Sequence, residues 1–498
     1  MTSIWLHKTR PPAHPPLTPG RRFDVLVIGG GLTGLTTALL LAEQGVATAV
    51  LEARRLGAVT TGNTTGKVSL LQGTRASSIG RKYGIALLHE YLTANREAQQ
   101  WLLRYCEDHG IAVQREPAYT YVQTPDGTDL IRAELDLTRK AGLPTTFTAD
   151  LDVPFPNHGA VRLDNQAQLD AVEVIDALAA DLDARGVPIF EDTRVQGRGP
   201  DSGSDHVLHT DHGDVAAGTV VLATGTPILD RGGFFARVTA QRSYAAAFRV
   251  TEPIPSGMYL SADDPTRSIR YAPTPEGTLL LVGGSGHTVG RTRSARAHAD
   301  DVVDWTRSWF PSAEPLYRWS AQDYRAGAQL PYAGPILPGN HRVLVATGYA
   351  KWGLTNAVAA AHVLTAEVVG KRPAWAHAFT TWSPRELAAL PALLRDNGAV
   401  GVQLSAGWAT ALVSRKEQQG PPPEGTGRVE RRGLTPTAVS TVDGRTCSIS
   451  AVCPHLGGIL AWNDAERTWD CPLHGSRFAA DGSLLEGPAT HPATGAGD

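Results

Sequence analysis

FDVLVIGGGLTGLTTALLLAEQGVATAVLEA, residues 23–53, changes its hydrophobic period twice. FDVLVIGG is a continuous apolar run of the kind a buried strand needs. GGLTGLTTALLLAEQG then carries apolar residues at helical spacing and stops at Gly45, and VATAVLEA returns to a strand that ends in an acid. The turn between strand and helix is Gly29-x-Gly31-x-x-Gly34, and Glu52 follows 18 residues after the last glycine (52 − 34). Each position has its own reason in a dinucleotide site: Gly29 for the tight turn, Gly31 for close backbone approach to a pyrophosphate, Gly34 for helix packing, Glu52 for ribose hydroxyls. The helix N-terminus adds the partial positive charge that phosphates need. A glycine-rich turn that binds nothing would share the spacing; the strand before it, the helix after it and the terminal acid favour the ligand site.

The rest of the chain arranges itself around this βαβ unit. Ahead of it, residues 1–20 hold five prolines and no periodicity, which predicts an arm. Arg21-Arg22 looks like a twin-arginine export signal, but the apolar run behind it is the first strand and no small-residue cleavage site follows, so a cytoplasmic location is expected. Behind it, about 84–106 reads as an amphipathic helix with Cys106 on its apolar side, and AQLDAVEVIDALAADLDARG as another. VPIFEDTRV and TVVLATG follow as strands. Residues 240–290 alternate like antiparallel strands, predicting a sheet-built substrate domain at approximately 240–330. HRVLVATGYAKWGLTNAVAAAHVLTAEVVG then returns to the first domain as strand, glycine turn and helix. The expected division is an arm at 1–20, a main unit at 21–372, a helical linker at 373–419 and a strand-rich unit at 420–498, with the polar KEQQGPPPEGTG (416–427) at the last boundary.

Composition narrows the function classes. A net charge of −3 with 19% charged residues gives no bulk field for nucleic acid or an anionic membrane, so a small-molecule substrate is the expected partner. No stretch reaches the about 20 apolar residues that span a bilayer. AVGVQLSAGWATALV (399–413) is shorter and carries Gln403, so no membrane insertion is expected. Four cysteines in 498 residues are no disulfide framework.

With its fingerprint, TVVLATG and the closing GYAKWG, the chain resembles the D-amino acid oxidase superfamily of FAD-dependent oxidoreductases over about 21–372. The resemblance implies an α/β Rossmann-type FAD domain with an antiparallel-sheet substrate domain, and noncovalent FAD. Its ADP half would lie on Gly29, Gly31, Gly34 and Glu52, with Val195 at the adenine. Asn63, Thr64 and Lys67 of GNTTGK would line pyrophosphate and flavin, with Ala223, Thr224, Gly225 and Gly348 also at the cofactor. The helix opening at Gly353, Leu354 and Thr355 would point at the flavin ring, where its dipole favours the negative charge of reduced flavin.

Near the C-terminus, CPHLGGILAWNDAERTWDCPLHG (453–475) pairs Cys453-x-His455 with Cys471-x-x-His474. Zinc is the first alternative, since two Cys and two His make a common tetrahedral set. Here, however, each cluster contributes one of each, the interleaving that a Rieske [2Fe-2S] centre uses, with two thiolates on one iron and two imidazoles on the other. With HLGG after His455, HGSRF, a DG turn and GPA, residues 420–498 resemble an all-β Rieske domain. In high-potential members of that family, positions matching Gly458 and Leu473 carry a disulfide and the position matching Phe478 carries a tyrosine; Ser476 is retained.

A two-electron flavin beside a one-electron cluster predicts a dehydrogenase: an amine or amino acid is oxidised at a C–N bond, and electrons leave singly to an acceptor protein. Lys351, Tyr271 and His287 are the candidate catalytic residues, with Tyr244, Arg270, Tyr332 and Trp352 as further pocket candidates. The competing reading is an electron-transfer component that takes electrons from a donor such as NADH and supplies an oxygenase. It lacks a second fingerprint, because glycines 283, 284, 286 and 290 do not match the pattern. A redox sensor is a third reading, without a target in the sequence. The two cofactor sites share no ligand, so losing the cluster is expected to leave FAD in place. With fewer donors to the sulfurs, the cluster potential should fall in the low-to-intermediate part of the Rieske range of roughly −150 to +300 mV. An EPR-monitored redox titration checks this, and a midpoint at the top of the range would contradict it.

Overall fold

The computed structural model describes residues 1–229, 232–413, 420–433 and 435–494. Residues 414–419, in the expected linker, and 495–498, in the expected last unit, lie outside the described residues. The central sheet runs, in spatial order, Tyr332–Pro335, Val343–Thr347, Gly213–Leu222, Arg22–Ile28, Thr48–Leu51 and Ile189–Phe190. From Val343–Thr347 onward the strands are parallel. The helices Leu32–Glu43 and Gly353–Val369 pack against each other on one face of this sheet. Both are apolar nearly all round, as helices buried between a sheet and further helices must be. Every strand of the parallel core ends at the same edge, where an open α/β sheet places its ligand crevice.

The second sheet is mostly antiparallel and larger than the expected 240–330 segment. Glu314–Ala326, Val238–Arg249, Gly277–Thr288, Arg267–Thr274 and Met258–Ser261 follow one another in space. Met258–Ser261 then pairs in parallel with Val113–Tyr121, which pairs with Ala160–Leu169. This unit is therefore assembled from separated parts of the chain. The expected helices form at Ile85–Asp108, with Cys106 buried, and Ala171–Ala184. VPIFEDTRV is broken into Ile189–Phe190 and Val195–Arg198, with Glu191 and Thr193 turned to the arm. The N-terminal arm has no regular element, yet it is packed down: Ile4, Trp5 and Leu17 are buried, and Trp5 Nε1 donates to Thr64 O at 2.7 Å.

A long helix, Arg385–Val413, leads to two small antiparallel sheets: Gly427–Arg432, Thr435–Val442 and Arg445–Ser450, then Ala461–Asn463, Thr468–Asp470, Arg477–Phe478 and Leu484–Glu486. This unit sits directly on the antiparallel sheet. Arg242, on Val238–Arg249 and almost fully buried, donates to Glu466 at 2.6 Å, and Arg477 Nη2 meets the same carboxylate oxygen at 2.8 Å. Arg477 also holds Asp470 at 3.1 Å and Glu486 at 2.6 Å. Around this core, Gln322 Nε2 donates to Gly475 O at 2.8 Å, Arg291 Nε to Pro472 O at 2.8 Å and Ser294 Oγ to Asp464 at 2.7 Å.

Burial alone would raise the Glu466 carboxyl, but Arg242 and Arg477 outweigh it and pull it down to about 2. A depressed carboxyl contributes stability in full above its unfolded value near 4.3 and loses it as the pH falls toward 2. Glu466→Gln keeps the shape and removes the charge, leaving the buried Arg242 with only the longer carboxylate contact, to Glu486 at 3.6 Å. It should cost on the order of 3 kcal/mol in thermal or urea unfolding at neutral pH, and the gap to wild type should shrink below about pH 4. A loss under about 0.5 kcal/mol would sink this account of the interface.

Candidate functional site

The glycine turn explains its own sequence. Gly29 lies at φ +111°, and a Cβ there would stand 2.5 Å from Ala223 O. A Cβ on Gly34 would stand 1.9 Å from Gly29 O, so the helix can sit against the turn only if this residue is glycine. Gly31 is less crowded, its nearest neighbour being Thr61 Oγ1 at 3.3 Å. Glu52 accepts the amides of Gly30 at 2.7 Å and Arg54 at 2.9 Å. Burial raises its pKa while those two donors oppose the rise. It braces the loop and retains lone pairs for a further donor.

At the ligand edge of the parallel sheet opens a cavity of about 530 Å³. Gly29, Gly31, Glu52, Asn63, Thr64, Lys67, Val195, Ala223, Thr224, Gly225, Gly348, Gly353 and Leu354 line it. Gly34 and Thr355 stand behind the lining. Thr355 Oγ1 donates to Asn95 at 2.6 Å, within a buried group that includes Gln72, Tyr91 and Asn356 and fixes the start of helix Gly353–Val369. That start carries no acid in its first turn, leaving its positive end open to the cavity. Ser243 Oγ lines the cavity, buried and without a hydrogen-bond partner. A glycine cradle, an open helix N-terminus and an orphaned buried hydroxyl fit a bound dinucleotide flavin.

The candidate catalytic residues separate. Lys351 lines the cavity; its backbone amide donates to Asp323, whose carboxyl burial pushes up. Tyr271 is not brought to the cavity. It sits one position beyond Arg270 on Arg267–Thr274, and strand alternation turns it to the other face, where its hydroxyl donates to Glu116 at 2.5 Å. His287 is likewise absent from the lining; its Nε2 meets Tyr244 OH at 3.1 Å and its ring lies against His298. Tyr244 and Trp352 belong to the lining, whereas Tyr332 is a core residue bonded to Glu386 at 3.2 Å, and Arg270, fully buried, donates to Gly66 O at 3.1 Å.

Lys67 is a strongly perturbed cation in the lining. Its Nζ donates to Tyr259 O and Ser268 Oγ, both at 2.7 Å. Burial first and Arg270 second drive its pKa well below the usual lysine value. The sequence showed it only as part of GNTTGK. Trp319, whose Nε1 donates to Asn63 O at 2.9 Å, Asp323 and Arg194 also line the site and carried no sequence signal. Leu485, Glu486, Gly487 and Ala489 reach the cavity from the C-terminal unit, a placement that the Rieske-like GPA did not signal.

The two ligand loops there are built alike. The Cys453 amide donates to Gly458 O and the Cys471 amide to Ser476 O, both at 2.8 Å, and Gly457 and Gly475 turn each loop at positive φ. Cys453 and Cys471 are both buried and share a hydrogen bond between their sulfurs, which lowers the first thiol and raises the second. The rings of His455 and His474 stand edge to face, 5.2 Å apart, with Phe235 packed against both. His474 Nδ1 is buried without a partner, and burial, then His455 and Arg291, pull this imidazole down to about 4, leaving it in the neutral form that binds metal. Two buried thiols and an orphaned imidazole nitrogen fit the iron-sulfur donor set. Gly458 lies against Leu473, where a Cβ would be 2.6 Å from Leu473 Cγ, and Trp408 Nε1 holds Gly457 O at 2.9 Å.

Comparison with known proteins agrees with this geometry. The family model for FAD dependent oxidoreductases matches residues 24–367, and that for the Rieske [2Fe-2S] domain matches 414–495. A Bacillus subtilis (strain 168) protein, YhfW, named for a Rieske 2Fe-2S iron-sulfur protein, is 30% identical over 494 residues, covering 98% of this chain and 96% of its own. Among solved structures, the chain is similar to glycine oxidase from Geobacillus kaustophilus, with a TM-score of 0.60 at 20% identity over 71% of this chain and 96% of that one. L-proline dehydrogenase from P. horikoshii gives 0.58 at 17% identity, over 76% and 99%. The chain belongs to the FAD-dependent oxidoreductase family of the D-amino acid oxidase type, with a C-terminal Rieske domain, and its cofactors are FAD and a [2Fe-2S] cluster.

Proposed function

We propose that the protein oxidises a small amine or amino acid at a C–N bond and delivers the electrons, through the Rieske cluster, to a one-electron acceptor protein. FAD supplies two-electron chemistry at the substrate carbon, and the cluster supplies single-electron steps toward the acceptor. The observation that carries this reading is Gln322. Its amide donates both to Tyr324 OH at 2.9 Å, in the cavity wall, and to the carbonyl of Gly475, the residue after ligand His474. Wall and ligand loop are thus one hydrogen bond apart on either side of a single side chain. The fold shared with proteins named for glycine and L-proline supports the substrate class.

Within the cavity, Lys67 takes the proton. A neutral amine that donates its two hydrogens to Tyr259 O and Ser268 Oγ keeps its lone pair, and among the described residues no carboxylate is bonded to it that would hold it charged. Amino acids and amines reach the site largely as ammonium ions, and transfer of one proton to Lys67 yields the neutral amine from which hydride can leave. Gly353 and Leu354 at the helix start favour negative charge beside them. Cofactor contacts at Asn63, Thr64 and Gly225, a division of the chain near 372 and 420, and a cytoplasmic location belong to the same proposal.

An anaerobic absorption titration tests it. Amines and amino acids should bleach the flavin and then the cluster, whereas bleaching by NADH alone would replace this reading with the electron-transfer component. Because Lys67 acts as the neutral amine, kcat/KM should fall as the pH drops through its lowered pKa. Lys67→Met should remove that acid limb and cost about 10²-fold or more in kcat/KM. A variant with an unchanged pH profile would exclude Lys67 as the proton acceptor.

A further inference from the structure

We propose that the Rieske domain forms part of the FAD site, so that a loaded cluster tightens FAD binding and cluster loss loosens it. This rests on the placement of FAD in the cavity and of the cluster on Cys453, His455, Cys471 and His474. At the end of the cavity that holds Glu52 and Val195, the wall is completed by Leu485, Glu486, Gly487 and Ala489. Arg194, also in the lining, donates through Nη2 to Leu484 O at 3.0 Å, and a Cβ on Gly487 would stand 3.2 Å from Ile228 Cγ2. By the fingerprint logic this is the adenosine end. FAD is thereby enclosed from two domains.

The same segment is braced to the second ligand loop. Ser476 Oγ accepts the Ala489 amide at 3.0 Å. Arg477 holds Glu486 at 2.6 Å, and the strands pair Arg477 with Glu486 and Phe478 with Leu484. Ser476 in turn receives the Cys471 amide on its carbonyl at 2.8 Å. Wall and ligand loop form one continuous hydrogen-bonded unit only a few residues long. Iron holds such a loop through its ligands, and a loop without its metal loses that constraint. The slack passes through Ser476 and Arg477 to Leu485–Ala489. Coupling of this kind is reciprocal, so FAD should also tighten the hold on the cluster by the same factor.

The test measures FAD dissociation from the full-length protein by the fluorescence of released flavin, with cluster content read from its visible absorption. Although the two sites share no ligand, which by itself would leave FAD in place, Cys471→Ser removes the cluster and through the shared wall should weaken FAD binding about tenfold or more. Ser476→Ala should keep cluster absorption while FAD binding weakens about threefold to tenfold, a change that loss of folding would not give. Cluster-free protein that binds FAD within about twofold of wild type overturns the coupling. If Cys471→Ser does not fold by circular dichroism, Ser476→Ala decides: unchanged FAD affinity with the cluster retained overturns it equally. Cys471→Ser protein that keeps the full cluster absorption would refute the placement on which the proposal rests, whereas full loading with independent affinities refutes the coupling alone.

Discussion

Glu466, held between Arg242 and Arg477, is the contact on which the two-cofactor arrangement depends. A carboxylate and two guanidiniums removed from water are tolerable only when each charge meets its partner at short range. An apolar interface could slide by a few ångströms at small cost. This one cannot, because any shift strands a buried charge. The geometry of the Gln322 bridge and the position of Leu485–Ala489 in the cavity wall both follow from that fixed seat.

What the sequence made legible was local. The glycine fingerprint and the interleaved Cys and His ligands are set by backbone within a few residues, and steric clashes of 1.9 to 2.5 Å at Gly34 and Gly29 account for those glycines. The antiparallel sheet was less legible, because Val113–Tyr121 joins Met258–Ser261 across more than a hundred residues of chain and brings Ala160–Leu169 with it, and no local pattern names a distant partner. Tyr271 and His287 stand outside the lining because their neighbours take them up, which residue type does not show: strand alternation turns Tyr271 to Glu116, and His287 lies against Tyr244 and His298. Lys67 shows the converse, since nothing in GNTTGK marks it as a buried cation with only neutral oxygen partners.

The site divides its work between rigid and polar parts. The glycine turn, the helix start at Gly353 and the Asn95 group form a close-packed frame with few alternatives. Arg194, Asp323, Lys67 and Ser243 supply polarity that water or a ligand must satisfy. Phe235, set against both ligand imidazoles, carries the main unit's packing to the edge of the second site.

The spatial order of the parallel sheet also has a consequence for synthesis. Arg22–Ile28 lies between Thr48–Leu51 and Gly213–Leu222, and Gly213–Leu222 in turn needs Val343–Thr347. At roughly 5–20 residues per second, the first strand waits on the order of ten seconds or more on the ribosome for its central neighbour. During that time an apolar strand edge is exposed, which makes the nascent chain a natural client for chaperones. The cofactor cavity closes later still, once Ala489 has emerged.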